Sequence, residues 1–193
     1  MKHTESRKER LFQTAGRLFY QQGYRAVGVD TIASEAGIGK MTLYRHYPSK
    51  DDLILAFLEA SDREFWQYFS DSTDDIPSAR RKMMAFFEGL ERYVVSPDCF
   101  GCPFNNIASE FPDPDHSGHQ ISVAHKKAVR ARFLQLADAA GAHQPTALAD
   151  ALLLLMDGAY MAARMYGAAA DNPAHNVAAA AHHLIDAYCG TEE

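Results

Sequence analysis

Apolar positions recur along the chain at intervals of three and four, and no stretch alternates in the way a strand would. Leu11, Ala15, Leu18 and Phe19 share one helical face, and Gly23 stands where a left-handed residue ends such a helix. Ile32, Ala33 and Ala36 mark a short helix that opens near Asp30, a good N-cap residue, and closes at Gly37. A third short helix is predicted over residues 40–47 and is broken by Pro48. Ser49-Lys50-Asp51-Asp52 has the form of a capping box and opens a long helix to about Ser70. Asp71-Ser72-Thr73-Asp74-Asp75 reads as a loop, and Pro77 opens a helix running to about Val95.

Pro97 and Pro103 bracket a turn, after which Phe104, Ile107, Ala108 and Phe111 form one apolar stripe. Beyond the loop Asp113-Pro114-Asp115-His116-Ser117-Gly118, helices are predicted over residues 119–139, 146–167 and 173–189. The pattern predicts an all-α fold of about nine helices with no internal repeat: a three-helix N-terminal domain over residues 1–50 and a helical body over 51–193.

Composition narrows the class. Hydrophobic residues make up 47% of 193, enough for a sizeable core. No run approaches the roughly 18 apolar residues of a membrane span, so no membrane association is expected. The start, Met1-Lys2-His3-Thr4-Glu5, lacks the apolar stretch of a secretory signal. Three cysteines do not make a disulfide framework, which points to a reducing cytoplasm.

The formal charge of −6 is unevenly spread. Residues 1–50 carry nine Lys or Arg against four acids, a net of +5, while the other 143 residues carry ten bases against twenty-one acids, a net of −11. Such a split suggests a head that meets a polyanion and a body that does not.

The head also holds the most informative stretch, residues 29–47. Two short helices joined by a tight glycine turn form a helix-turn-helix. Small Ala33 lets the helices cross closely, and Gly37 takes the turn. Leu43 and Tyr47 face inward with Ile38, which leaves Lys40, Met41, Thr42, Tyr44, Arg45 and His46 outward. That face offers cations, hydroxyls and an imidazole with no acid among them, the groups that phosphates and base edges bind.

These residues resemble the N-terminal signature of the TetR family of regulators, over about residues 6–55. The resemblance rests on Gly23-Tyr24-Arg25-Ala26, Ile32-Ala33, Ala36-Gly37, Thr42-Leu43-Tyr44-Arg45-His46-Tyr47 and Ser49-Lys50-Asp51-Asp52-Leu53. It implies that Thr42, Tyr44, His46 and Lys50 touch operator phosphates and bases, and that Lys40, Met41 and Arg45 sit at variable base-reading positions. It also implies a dimeric repressor of double-stranded palindromic DNA, released by a small-molecule effector. The chain departs from the family in having Val27 and Gly28 where hydroxyl residues often precede the second helix, so backbone N–H groups would supply a phosphate contact there.

In the body, Leu148, Leu152, Leu155, Ala159, Ala162 and Tyr166 recur at alternating intervals of four and three, with Leu153, Leu154 and Met156 greasing the other sides. In the last helix Val177, Ala181, Leu184, Ile185 and Tyr188 line one face. Leu148, Leu152, Leu155, Ala159, Ala181, Leu184, Ile185 and Tyr188 are therefore the expected homodimer interface, a four-helix contact about a two-fold axis, with packing of both helices inside the monomer as the alternative. Trp66, Phe104, Asn105 and Tyr160 are the candidate lining of an effector pocket, since they pair apolar bulk with polar tips. Asp157 and Arg164 lie seven residues apart, about 10 Å along a helix and too far for a direct pair. Asp157 is left to meet a ligand, a partner chain or solvent.

Other chemistries find less support. Cys99 and Cys102 have CxxC spacing, and Cys102 precedes Pro103 at a helix start, which keeps a redox-sensing regulator as the alternative. A cysteine-dependent helical enzyme would need Cys102 with His125, which nothing in the sequence ties together. No phosphate-cradling glycine loop or nucleophile elbow occurs. Glu110, Asp113, Asp115, His116 and His119 lack metal-ligand spacing, and adjacent His182 and His183 point to different faces. Neither a metal nor a cofactor is expected.

Overall fold

Helix α1 (Arg7–Gln22) begins where the Ser6 hydroxyl accepts the Glu9 amide at 3.1 Å, and it stops at Gly23, whose φ of 97° a β-carbon would resist. The computed structural model describes residues 6–190. The charged start at residues 1–5, with Lys2 and Glu5 of the charge count, lies outside the described residues. Then come α2 (Val29–Glu35), α3 (Lys40–His46) and α4 (Lys50–Thr73). The capping box is complete: Ser49 Oγ accepts the Asp52 amide while the Asp52 carboxylate accepts the Ser49 amide. Helices α5 (Ala79–Val94), α6 (Pro103–Glu110), α7 (Ser117–Ala139), α8 (Pro145–Tyr166) and α9 (Val177–Cys189) complete nine α-helices among the described residues, and no strand is found there.

Several boundaries differ from the sequence pattern. Asp30 does not cap α2: Gly28 holds that position without a side-chain bond, and the Asp30 carboxylate instead meets Lys40. Asp71, Ser72 and Thr73 continue α4, because Gln67 bonds Asp71 and the Thr73 hydroxyl donates to the Phe69 carbonyl one turn back. Ser78, not Pro77, caps α5, and residues 173–176 form a 3₁₀ turn ahead of α9.

The core falls into two clusters. One is centred on Phe69, Phe86, Phe87 and Phe133 with Leu148, Leu152, Met156 and Ile185, where α4, α5, α7, α8 and α9 converge. The other joins Leu11, Phe19, Ile32 and Leu43 of the head to Leu53 and Leu58 of α4 and to Phe104 and Ile107 of α6. Residue 50 is thus where α4 begins, while the head's packing continues past it into the body. That shared cluster ties the head mechanically to α4 and α6.

Helix α8 corrects the expectation that no segment is long and apolar enough to span a membrane: it has 22 residues, and its most apolar 18-residue stretch has a mean hydropathy of 1.3. Length and composition alone do not make it a span. It packs between α7 and α9, and it places Asp150, Asp157 and Arg164 in polar contacts with other helices or loops.

Candidate nucleic-acid interface and ligand cavity

The two short helices meet as the glycine turn requires, with Gly37 at φ 63° and Leu43, Ile32 and Ala33 buried between them. Arg10 of α1 donates to the Ala36 carbonyl at 2.8 Å, and Arg17 pairs with Glu35 at 2.5 Å, which fixes α2 against α1. Helix α3 then projects from the head. Met41 is 82% exposed, Tyr44 and Arg45 are exposed, and Thr42 and His46 are half-buried. Lys40 is exposed, but its ammonium lies 2.9 Å from Asp30, an acid brought in from α2 that the linear reading of this face left out. Lys50 sits half-buried at the start of α4, its Nζ donating to the Arg25 carbonyl at 3.5 Å, and burial pushes its pKa down. All seven positions lie on α3 or at the first residue of α4.

Several polar attachments join this head to the body. The Glu110 carboxylate, at the end of α6, accepts the backbone amides of Tyr24 and Arg25 at 3.0 and 2.7 Å. The Tyr24 hydroxyl donates to the Pro103 carbonyl at the other end of α6. Arg164 of α8 reaches the carbonyls of Tyr20 and Gln21 at 3.4 Å, placing a cation at the negative end of α1, and reaches Phe100 at 3.3 Å. Asp157 and Arg164 therefore do not serve one another. Asp157 takes the Lys126 ammonium and the Asn105 amide.

Between head and body lies a cavity of about 350 Å³. Helix α4 supplies one wall through Phe57, Ser61, Glu64, Phe65 and Tyr68, a single helical face. Of the four candidate lining residues, Phe104 of α6 and Tyr160 of α8 stand on it, whereas Trp66 and Asn105 do not line it. Trp66 turns its ring toward Phe65 and Phe69, and Asn105 is drawn aside to Asp157. Tyr20 carries the cavity to α1, donating to the Gly101 carbonyl at 2.7 Å and sharing a hydrogen bond with Tyr93 at 2.9 Å. Burial pushes the Tyr20 and Tyr160 hydroxyls well above the usual phenol range, so both are neutral.

Behind Phe104, ring-stacked at 3.7 Å, is His125 of α7, whose Nδ1 lies 2.6 Å from the Asp62 carboxylate. Cys102 also lies on this wall, but its sulfur accepts from Lys126 at 3.4 Å, and no bond to His125 occurs among the described residues. Cys99 is buried, which raises its thiol pKa.

Comparison with known proteins identifies the architecture. The family of bacterial regulatory proteins called tetR matches residues 11–57. A TetR-family transcriptional regulator from Streptomyces coelicolor is 31% identical, superimposes with a TM-score of 0.85, and the match covers 94% of this chain and 93% of that one. A TetR transcriptional regulator from Streptomyces avermitilis is also 31% identical, with a TM-score of 0.81 over 95% of this chain and 98% of its own. The chain belongs to the TetR family of transcriptional regulators. The transcriptional activator FasR of Mycolicibacterium smegmatis is 34% identical over 91 residues, 45% of this chain and 42% of FasR, so the chain matches about half the length of its curated relatives.

In this TetR-family chain the α8–α9 surface differs from the seam read in the sequence. Leu148, Leu152, Ala159, Ala181 and Ile185 are buried within the single chain, because α8 and α9 turn those positions toward α5 and α7. Their side chains are covered by this chain's own helices. Leu155, Leu184 and Tyr188 are half-buried and stand at its edge. The apolar surface left outside runs along the opposite face of α8, with Leu154 71%, Met161 46% and Met165 72% exposed.

The sequence reading missed Asp62, Lys126 and the α4 wall, and it weighed Glu110 only as a metal ligand. Only the wall carried a signal, since Phe57, Ser61, Phe65 and Tyr68 repeat at helical spacing with a hydroxyl set among aromatics.

Proposed function

We propose that this regulator binds palindromic operator DNA as a homodimer, represses transcription in the cytoplasm, and is released by a small-molecule effector. The observation that carries the reading is the outward face of α3, a helix that buries Leu43 and exposes Met41, Tyr44 and Arg45 on the basic head. In this reading Tyr44, Thr42, His46 and Lys50 hold phosphates, while Lys40, Met41 and Arg45 read bases in the major groove. Residues 1–50 read DNA, and residues 51–193 carry the ligand and the partner.

Three further features support the parts of the proposal. The exposed stripe Leu154, Met161 and Met165 is the apolar surface of the body that a second copy would cover about a two-fold axis. The aromatic cavity lies where Tyr20 of the head forms part of its wall, so occupancy and head position share atoms. Glu110 and Arg164 transmit any shift of α6 or α8 to α1 and the turn after it. A ligand that prefers the DNA-incompetent arrangement shifts the population by its differential affinity, and linkage makes the effect reciprocal. The redox alternative has less behind it: Cys99 and Cys102 are both buried, and burial disfavours the Cys99 thiolate.

Selection of bound sequences from random duplexes tests the reading. The expected product is a palindrome with half-sites spaced by about one helical turn of DNA or a multiple of it. Enrichment of no sequence, or of a single non-repeated site, would overturn it. Placing the selected site within a promoter then separates repression from the activation that FasR carries in its name.

A further inference from the structure

His125 is 4% exposed, yet only one of its ring nitrogens has a protein partner among the described residues. Nδ1 meets the Asp62 carboxylate at 2.6 Å, and an acid in that position fixes the proton on Nδ1 and leaves Nε2 with a lone pair. Burial lowers the pKa of this imidazole despite Asp62, so the ring is neutral and Nε2 is an acceptor. The ring cannot swing away, since Phe104 stacks on it at 3.7 Å and Phe65 meets it edge-on at 4.8 Å. Tyr68 Oη is sealed without a hydrogen-bond partner, and His125 Nε2 is not sealed in that way. His125 lines the cavity, with Nε2 neither bonded to protein nor sealed. Tyr160 lines the same cavity, its hydroxyl likewise neither bonded to protein nor sealed.

We propose that the cavity takes an uncharged aromatic ligand bearing a hydroxyl group, which donates to His125 Nε2 and accepts from the Tyr160 hydroxyl. The assignment rests on the effector reading above and specifies its chemistry. Aromatic walls from α4, α6 and α8 select a flat ring system through edge and face contacts. Charge is rejected in both directions. Lys126, the wall cation, is already engaged by Asp157 and leaves no free partner for an anion, Glu64 would repel a carboxylate, and a cation would give up its hydration among aromatic walls with only the exposed Glu64 to face it. A buried acceptor left without a donor is costly, so a ligand lacking the hydroxyl loses affinity out of proportion to its size. Asp62 belongs to α4, the helix whose first turns pack in the head's core, so the His125 contact sits on the link between ligand and DNA.

Calorimetric titration of the full chain with four probes of one shape provides the test: β-naphthol, its methyl ether, β-naphthoate and β-naphthyltrimethylammonium. β-Naphthol should bind about tenfold tighter than the ether, the weight of one hydrogen bond to a buried acceptor. Both charged probes should bind more weakly than the ether. His125→Phe keeps an aromatic ring and removes the acceptor, so it should bring β-naphthol down to the ether and leave the ether unchanged. Tyr160→Phe should weaken both neutral probes alike, and it decides the matter if a thermal melt shows His125→Phe unfolded.

Equal affinity for β-naphthol and its ether, preference for either ion, absence of binding by any probe, or unchanged neutral-probe affinities in Tyr160→Phe would overturn the assignment. β-Naphthol binding in the expected pattern with operator affinity unaltered would leave the assignment standing and overturn effector release.

Discussion

Two exposed surfaces of this molecule are built to opposite rules. Helix α3 turns a single large apolar side chain, Leu43, inward and presents hydroxyls, cations and Met41 to the outside. Helix α8 buries Leu148, Leu152 and Met156 and still leaves Leu154, Met161 and Met165 exposed on its far side. The first surface is satisfied by water until a polyanion displaces it, because every outward group except Met41 can hydrogen-bond. The second is not, since an apolar stripe gains free energy only when covered, at about 25 cal/mol per Å² buried. The difference is what the proposed reading rests on: it puts DNA on the face that water tolerates and a second copy on the face that it does not.

Replacing both Leu154 and Met165 with Glu should break the comparison most severely. Each unpaired charge forced into an apolar contact costs about 3 kcal/mol or more, so sedimentation should show folded monomers that have lost operator binding. The same change at buried Leu152 should unfold the chain instead, which circular dichroism would register. Next in size are the α3 substitutions. Arg45→Ala should relax sequence preference by about 1–3 kcal/mol if the guanidinium grips a guanine, measured by competition between operator and altered sites. Lys50→Ala should weaken binding to every duplex and lower the salt slope by about one.

A smaller effect should follow at the head–body attachment. Glu110→Gln removes the charge that receives two amides and should cost about 1–2 kcal/mol. Amide exchange at Tyr24 and Arg25 should accelerate more than in the core around Phe86. The smallest effect is a pH dependence. His125 gives up its proton more readily when folded than when unfolded, with burial as the first cause and Lys126 in the same direction, against Asp62 and Asp157. As pH falls below about 6.5 the unfolded chain therefore binds the proton first, and folding loses stability until pH passes the lowered folded value. Denaturant titrations at pH 7 and pH 5 should show that loss, and His125→Phe should diminish it.

The head was legible in the sequence because its determinants are local. Ala33, Gly37, Leu43 and the outward residues of α3 lie within a few turns of one another, and the capping box at Ser49 and Asp52 is four residues long. The cavity was not, because Tyr20, Phe65, Phe104, His125 and Tyr160 come from five different helices. Spacing suggested Trp66 as readily as Phe65, and only the rotation of α4 separates them. The α8–α9 seam meets a related limit. A regular three-and-four repeat in α8 marks a buried stripe, but periodicity cannot say whether the same chain or another one buries it. Leu152 and Ala159 are covered within the chain, and the less regular Leu154, Met161 and Met165 are left outside.

The central claim, that two copies of the α3 face hold one palindromic site, is tested most directly by fluorescence anisotropy on the selected duplex across a salt series, with wild type and Tyr44→Ala side by side. The expected result is two chains per duplex and an affinity that falls steeply with salt. Tyr44→Ala should bind more weakly at every salt concentration and with a flatter slope. One chain per duplex, or wild type and Tyr44→Ala binding equally throughout the series, would contradict it.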